Sequence, residues 1–118
     1  MTNDKLSHIE KIMYDMLKKE SINFYPQYKV RYTIPKYGTY LLDFALVEYK
    51  IDIECDGEFW HSLTSVKKND EQRDKFLKSR GWRVLRFSGA DLEYSKEKCL
   101  KKIRRCIDDS YKPKRMDM

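Results

Sequence analysis

The sequence contains no run near the roughly 18 apolar residues that suggest a membrane span, and no basic-then-apolar leader at its start. We therefore expect a cytoplasmic protein with no membrane partner.

Cysteine is scarce, and its three residues form no CxxC-type pair. Cys99 and Cys106 are spaced to share one helix face with Ile103, which favours buried free thiols over a disulfide or zinc site. Without repeats or linkers, residues 1–110 are expected to form one domain and 111–118 a basic, flexible tail.

The composition combines 37% charged residues with 14% aromatic residues in a chain of 118. Disordered chains rich in charge normally lack the aromatic residues needed to build a core, so a folded domain with a charged surface is indicated. The net charge of +6 favours a polyanionic partner, because Lys and Arg neutralise phosphates and release counterions. Charge alone does not identify that partner.

Hydrophobic periodicity predicts three helices and four strands. Ser7 and Glu10 have the spacing of a capping box before an amphipathic helix, Asn69 is a candidate cap for a second helix, and Gly81 would close it. The strands are predicted at 24–32, 40–47, 51–56 and 82–87, and the later helices at 69–80 and 95–110. The order α-β-β-β-α-β-α indicates an α/β fold with a mixed sheet and helices on both sides. The last two strands are joined through a helix and should be parallel.

Asp43 interrupts a nearly continuous apolar run, YLLDFALV, that is typical of a strand covered on both faces. A lone carboxylate there costs several kcal/mol to desolvate, so a cation is expected beside it. Cross-strand pairing with the following strand could bring Glu54 within a few ångströms of Asp43. A hard divalent cation would remove the repulsion between the two carboxylates.

Asp56 lies two residues after Glu54 on the same predicted strand face, together with Asp52. It could supply a third metal oxygen or position a water. Mg²⁺ needs only one or two protein carboxylates and retains waters, which leaves room for a phosphate oxygen and a nucleophile. The alternative is that these acids form the solvent face of an edge strand, although the apolar neighbouring strand favours an interior position.

Two other candidate catalytic residues have structural alternatives. Glu10 is accounted for by helix capping without any metal. His61, in a predicted loop after the acidic strand, could move a proton to the leaving oxygen or bind phosphate, and a structural role is the alternative.

The ordered set of motifs resembles the compact branch of the PD-(D/E)XK nuclease superfamily, near the very-short-patch-repair endonucleases and related homing endonucleases. The residues that carry this resemblance are Asp43, Glu54-x-Asp56-Gly57, His61, Arg73-Asp74 and GWRVLRF at 81–87. The resemblance implies a restriction-endonuclease-like four-stranded mixed sheet flanked by helices, with Asp43 and Glu54 as metal ligands and Glu10 entering from the first helix. It also implies that Arg73 and Asp74 support the site or contact phosphate.

The sequence departs from this superfamily at the lysine two residues after the second acid, where Asp56 stands. Another cation could substitute, with Lys50, Lys67 and Lys68 as candidates, or the metal alone could activate the water. The repair enzymes have a histidine at this place and a zinc site nearby, and neither is present here. We therefore do not expect this protein to recognise mismatches as the repair enzymes do.

These observations predict a DNA endonuclease dependent on Mg²⁺, with Mn²⁺ able to substitute and no zinc. The catalytic candidates are Glu10, Asp43, Glu54, Asp56, His61 and Asp74, of which Asp43, Glu54 and Asp56 would hold the metal. The DNA-binding candidates are Lys67, Lys68, Arg73 and Trp60, although some of these lysines could be only a solvated helix face. Specificity would need a homodimer, a partner protein or an aromatic wedge at Phe59 and Trp60. The rival hypothesis is a catalytically silent nuclease-like module that binds nucleic acid or docks in an assembly.

Overall fold

A computed structural model of the chain describes residues 6–56 and 64–111, with the backbone alone for 64–69. Four strands and four helices follow one another in the order α-β-β-β-α-β-α-α. They are α1 (His8–Lys19), β1 (Tyr25–Tyr32), β2 (Gly38–Leu46), β3 (Ile51–Asp56), α2 (Thr64–Ser79), β4 (Arg83–Ser88), α3 (Gly89–Tyr94) and α4 (Lys96–Tyr111), with a 3₁₀ turn at Val47–Tyr49 between β2 and β3. None of the described helices is both long and apolar enough to cross a bilayer.

The strands form one mixed sheet in the order β1-β2-β3-β4. β1 pairs antiparallel with β2, β2 antiparallel with β3, and β3 parallel with β4. The parallel pair joined through α2 confirms the prediction for these two strands. Because β3 lies inside the sheet, its acidic residues are not the solvent face of an edge strand, and that alternative is wrong.

The sheet is covered by apolar clusters on both faces, as the continuous apolar run of β2 predicted. Phe44 and Leu46 of β2 belong to the larger cluster, which includes residues of α1, α3 and α4. Leu42 and Ala45 belong to the smaller cluster, with Leu77 of α2. If side chains alternated regularly along β2, Leu42 and Phe44 would lie on the same face of the sheet. They belong to clusters on opposite faces, so the alternation shifts by one residue at Asp43, which lies between them.

One predicted helix boundary is wrong, and one short helix was not predicted. α2 begins at Thr64, so Asn69 lies inside the helix and is not its cap. The last helix, predicted at 95–110, is confirmed as α4, but the short α3 before it was not predicted. Ser88 caps α3 by accepting a hydrogen bond from the Asp91 N–H at 3.1 Å. Ser95 has a non-helical backbone and separates α3 from α4.

Several local predictions are confirmed. Ser7 and Glu10 form the reciprocal capping box of α1. Gly81 has a φ of +89° after α2, a conformation that glycine adopts readily. The cysteines are free thiols, and Cys99 is buried in the larger cluster with Ile103.

Candidate active site

The β2–β3 ladder stops at the two acids that the sequence singled out. Its last backbone pair is Phe44 with Ile53, and the next residues along the two strands are Asp43 and Glu54. The Asp43 N–H donates to Glu54 Oε2 at 3.2 Å, while the Cys55 N–H donates to Asp43 Oδ2 at 2.9 Å. Each carboxylate therefore satisfies a backbone N–H of the opposite strand, and the two acids are held together where the strands separate.

Asp43 lies in a strongly negative electrostatic environment. Burial, followed by the charge of Glu54, raises the pKa of Asp43 to about 7. The hydrogen bond from the Cys55 N–H opposes this rise, whereas the nearby charges of Glu10 and Asp56 add to it. Three other carboxyl groups thus lie close enough to Asp43 to raise its pKa, as expected for a site that attracts cations.

A cation does lie in this region, but it contacts Glu54 and not Asp43. Arg73 of α2 is only 9% exposed, and its Nη2 donates to Glu54 Oε2 at 2.5 Å and to the Leu41 carbonyl at 3.1 Å. Asp52 Oδ2 lies 3.1 Å from the same nitrogen, yet neither Asp52 oxygen has an aligned hydrogen-bond partner among the described residues. Both N–H groups of Nη2 are already used, so Arg73 reaches Asp52 through charge alone.

Asp52 and Glu54 form a buried acidic pair beside Arg73. Desolvation raises the pKa of both groups, and for Glu54 the adjacent Asp52 carboxyl raises it further. Arg73 opposes both shifts without cancelling them. Asp52, which is fully buried, was not among the candidate site residues, although its place in the acidic alternation of β3 was a usable signal.

A second arginine, Arg86, forms ion pairs with three other acids near the site. Arg86 on β4 lies opposite Glu54 in the parallel register. Its Nη1 is 3.1 Å from Asp56 and 3.8 Å from Asp70, and its Nη2 donates to Asp74 at 2.9 Å. Asp74 also lies 3.5 Å from Arg73, so it links the two arginines. No pattern in the sequence indicated that Asp70 would join this network.

Of the other predicted residues, one lies near Asp43, one lies elsewhere, and the rest are outside the described part of the structure. Glu10 caps α1 and contributes charge near Asp43. Lys50 donates to the Arg80 carbonyl at 2.9 Å at the end of α2, so it is not a substitute for the missing lysine. Trp60 and His61 lie outside the described residues, as do the side chains of Lys67 and Lys68.

The described residues could hold a divalent ion through a few carboxylate oxygens, but they do not enclose one. Within residues 6–56 and 64–111, no three Asp, Glu, His or Cys side chains come together as a ready-made metal site. Asp43 Oδ1 and Glu54 Oε1 take no part in the two bonds that join β2 and β3. Mg²⁺ usually accepts one or two carboxylates and keeps its waters. The mutual repulsion of the acids supplies the electrostatic demand for such an ion.

Residues 9–107 match the family model REase_MTES_1575, which describes restriction-endonuclease-like proteins. Among solved structures, the chain superposes on the catalytic domain of the homing endonuclease I-Bth0305I with a TM-score of 0.71 and 21% identity, covering 90% of this chain and 99% of that domain. The likeness confirms the restriction-endonuclease-like sheet flanked by helices.

Three curated proteins are similar in sequence. The uncharacterized protein YcjD of Escherichia coli K12 is 36% identical over 56% of this chain and 54% of its own length. The type II nicking enzyme V.NmeDIP of Neisseria meningitidis serogroup C is 29% identical over 57% of this chain and 59% of its own length. The type II nicking enzyme V.HpaIIP of Haemophilus parainfluenzae is 33% identical over 55% of this chain and 60% of its own length. The chain thus matches little more than half the length of these relatives.

Proposed function

The chain belongs to the restriction-endonuclease-like family REase_MTES_1575, and on that basis we propose that it is a magnesium-dependent DNA endonuclease that hydrolyses phosphodiester bonds. The observation that carries the proposal is the junction of β2 and β3, where Asp43 and Glu54 each accept a backbone N–H from the other strand. Structural acids would be expected to have a counter-ion each. Asp43 instead lies among like charges, and burial, followed by the charge of Glu54, raises its pKa to about 7.

Asp43 and Glu54 would hold Mg²⁺, and Mn²⁺ should substitute because it takes the same oxygen ligands. When bound, the ion would polarise a phosphate oxygen and make a bound water more acidic. Asp56, next to this pair and held by Arg86 at 3.1 Å, would orient the attacking water or add a ligand oxygen. His61 remains a candidate for moving a proton to the leaving oxygen.

Arg73 would position Glu54 and not contact DNA directly. It is buried, and its Nη2 is committed to Glu54 and to the Leu41 carbonyl. Asp74 would act through the arginines, since it lies 2.9 Å from Arg86 and 3.5 Å from Arg73. Arg86 is the described cation nearest the position of the missing lysine, because it contacts Asp56, the residue that stands there.

Cleavage of one strand is the outcome we favour, since two similar proteins are named nicking enzymes. A single site of this kind cuts one phosphodiester bond at a time. Sequence specificity would come from a homodimer or a partner protein, because one small domain offers little surface for reading bases.

One observation favours a different function. The contact of Arg73 with Glu54 at 2.5 Å places a protein cation on a predicted metal ligand. If that contact persists when a divalent ion is offered, the chain would be a nuclease-like module that binds DNA without cutting it.

Plasmid nicking tests the proposal. Purified protein is incubated with supercoiled plasmid in Mg²⁺, Mn²⁺ or chelator, beside the variants Asp43→Asn and Glu54→Gln. These changes keep the side-chain shape but remove the charge, so nicking should fall at least about a hundredfold while DNA binding is retained. Asp109→Asn on α4 is the matched control and should cut normally. Cleavage in chelator, or undiminished cleavage by both site variants, would contradict the proposal, and a wild type that binds DNA but never cuts would support the silent module.

A further inference from the structure

The segment 21–42, which contains β1 and the first half of β2, carries no Asp or Glu. The whole chain has 19 acids in 118 residues, so a segment of this length would hold three or four at the average density. It has instead Lys29, Arg31 and Lys36, together with five of the nine tyrosines. Basic residues interleaved with aromatic ones are typical of surfaces that bind nucleic acid.

One face of the β1–β2 hairpin is used for packing. Tyr28, Val30 and Tyr40 pack against the smaller cluster, which contains Trp82. The rings of Tyr40 and Phe76 of α2 are 5.6 Å apart. This packing makes the hairpin a rigid extension of the sheet.

The opposite face of the hairpin is open. Lys29 pairs with Leu41, and Arg31 pairs with Thr39, in the antiparallel register, and all four side chains are exposed. Leu41 is 45% exposed. Neither Lys29 nor Arg31 has an ion-pair partner within the described part of the chain, so both charges are available to a ligand.

The connection between the strands continues this surface. Ile34 is 82% exposed and Tyr37 is 74% exposed, with Lys36 between them. An apolar and an aromatic side chain at the end of a basic hairpin resemble the groove-contacting elements of DNA-binding proteins.

We propose that this hairpin is a DNA-binding arm. Lys29, Arg31 and Lys36 contact phosphates of the DNA backbone, and Ile34 and Tyr37 lie against a groove. The inference rests on the proposed nuclease function for its substrate and extends it with a contact surface. A negatively charged partner fits because the open face and the connection between the strands carry three cations and no acid.

The arm is aligned with the candidate active site. Leu41 and Thr39 precede Asp43 by two and four residues on β2, which corresponds to about 7 and 13 Å along a strand. The backbone of a DNA strand advances about 3.4 Å along the axis per nucleotide. Lys29 and Arg31, beside these residues, would therefore contact phosphates about two to four nucleotides from the bond at Asp43. Arg73 joins the arm to the site, since it donates to the Leu41 carbonyl and to Glu54.

The test measures the salt dependence of DNA binding in chelator, so that cleavage does not interfere. The probe is a short fluorescein-labelled duplex, read by fluorescence anisotropy. The variant Lys29→Gln/Arg31→Gln/Lys36→Gln should reduce the slope of log K against log salt by about 2 to 3, since each phosphate contact contributes about 0.9. Near 0.1 M salt its affinity should fall on the order of a hundredfold.

The control variant, Lys98→Gln/Lys101→Gln/Arg105→Gln, removes the same charge from exposed positions on α4. Its affinity should change less than about threefold, because charges beyond about 10 Å are screened. Equal weakening by the two variants, or unchanged binding by the hairpin variant, would overturn the proposal. Circular dichroism checks that both variants are folded.

The tip is tested separately with Ile34→Ala/Tyr37→Ala. Losing apolar contact should weaken binding about tenfold without changing the salt slope. Unchanged affinity would overturn the groove contact, and a change in self-association alone, measured by sedimentation, would assign the tip to a second copy of the chain.

The outcomes also separate this inference from the nuclease proposal. A wild type that cuts DNA while the hairpin variant binds normally overturns the arm alone. If the wild type binds DNA but never cuts it, and the hairpin variant loses that binding, the nuclease proposal alone is overturned. A wild type without any DNA affinity overturns the arm directly.

Discussion

Replacing Arg73 by methionine should be among the most destabilising single changes in this chain. The arginine side chain is 10% exposed, and it faces Asp52 at 3.1 Å and Glu54 at 2.5 Å. At an effective dielectric constant of about 20, one such pair attracts by about 5 kcal/mol before desolvation. Methionine fills much of the volume but leaves two buried carboxyls without their cation, and breaking a buried pair in this way costs about 3–5 kcal/mol. The whole domain should be stable by roughly 6–18 kcal/mol, so the variant should still fold.

Urea unfolding followed by circular dichroism measures this cost. Arg105→Met is the matched control, since Arg105 is exposed on α4, and it should change the free energy of unfolding by less than about 0.5 kcal/mol. Adding Asp52→Asn to Arg73→Met should recover part of the loss, with a coupling of about 0.5–3 kcal/mol, because one of the stranded charges is removed. A cost below about 1 kcal/mol, or strictly additive effects of the two changes, would refute the assignment of Arg73 as the counter-charge of this pair.

Two further predictions concern the frame of the site. Gly81→Ala should cost about 1–2 kcal/mol in urea unfolding: φ is +89° and the nearest side-chain atom to an added Cβ, Lys50 Cδ, is 3.6 Å away, so the cost is conformational. Gly81→Asn, which tolerates this conformation better, should cost less, and equal losses would contradict the explanation. Burial, followed by the charge of Asp43, raises the pKa of the Cys55 thiol, so it should react with a disulfide reagent near pH 8 only when the protein unfolds. Rapid modification of Cys55 in the native state, located by peptide mapping, would contradict its position.

The features that followed from the sequence are those set by local pattern. The apolar run around Asp43 predicted a strand covered on both faces, and the acidic alternation that starts at Asp52 predicted its neighbour. A hairpin between them fixed their pairing, so the meeting of Asp43 and Glu54 was predictable from sequence. The start of α1 was predictable as well, because the capping box depends only on Ser7 and Glu10, which are three residues apart.

The features that were missed depend on tertiary contacts. Asp52 is paired through space with Arg73, which is 21 residues away, and no local pattern distinguishes that arginine from its charged neighbours on α2. Asp70 joins Arg86 from a different element. The short helix α3 was also missed, because its six residues with one buried apolar side chain, Leu92, are too few to show a helical period.

The distribution of charge connects the candidate site with the hairpin arm. Asp43, Glu54 and the acids around them would repel a phosphate backbone, and two arginines of the described site, Arg73 and Arg86, are already bound to carboxylates. Attraction for DNA must therefore come from the divalent ion at the bond to be cut and from cations placed away from it. The acid-free hairpin supplies such cations on β1 and in the connection that follows it, beside the strand that carries Asp43. This separation predicts that neutralising the hairpin lowers affinity even in chelator, whereas neutralising Asp43 lowers cleavage and leaves metal-free affinity equal to or higher than that of the wild type.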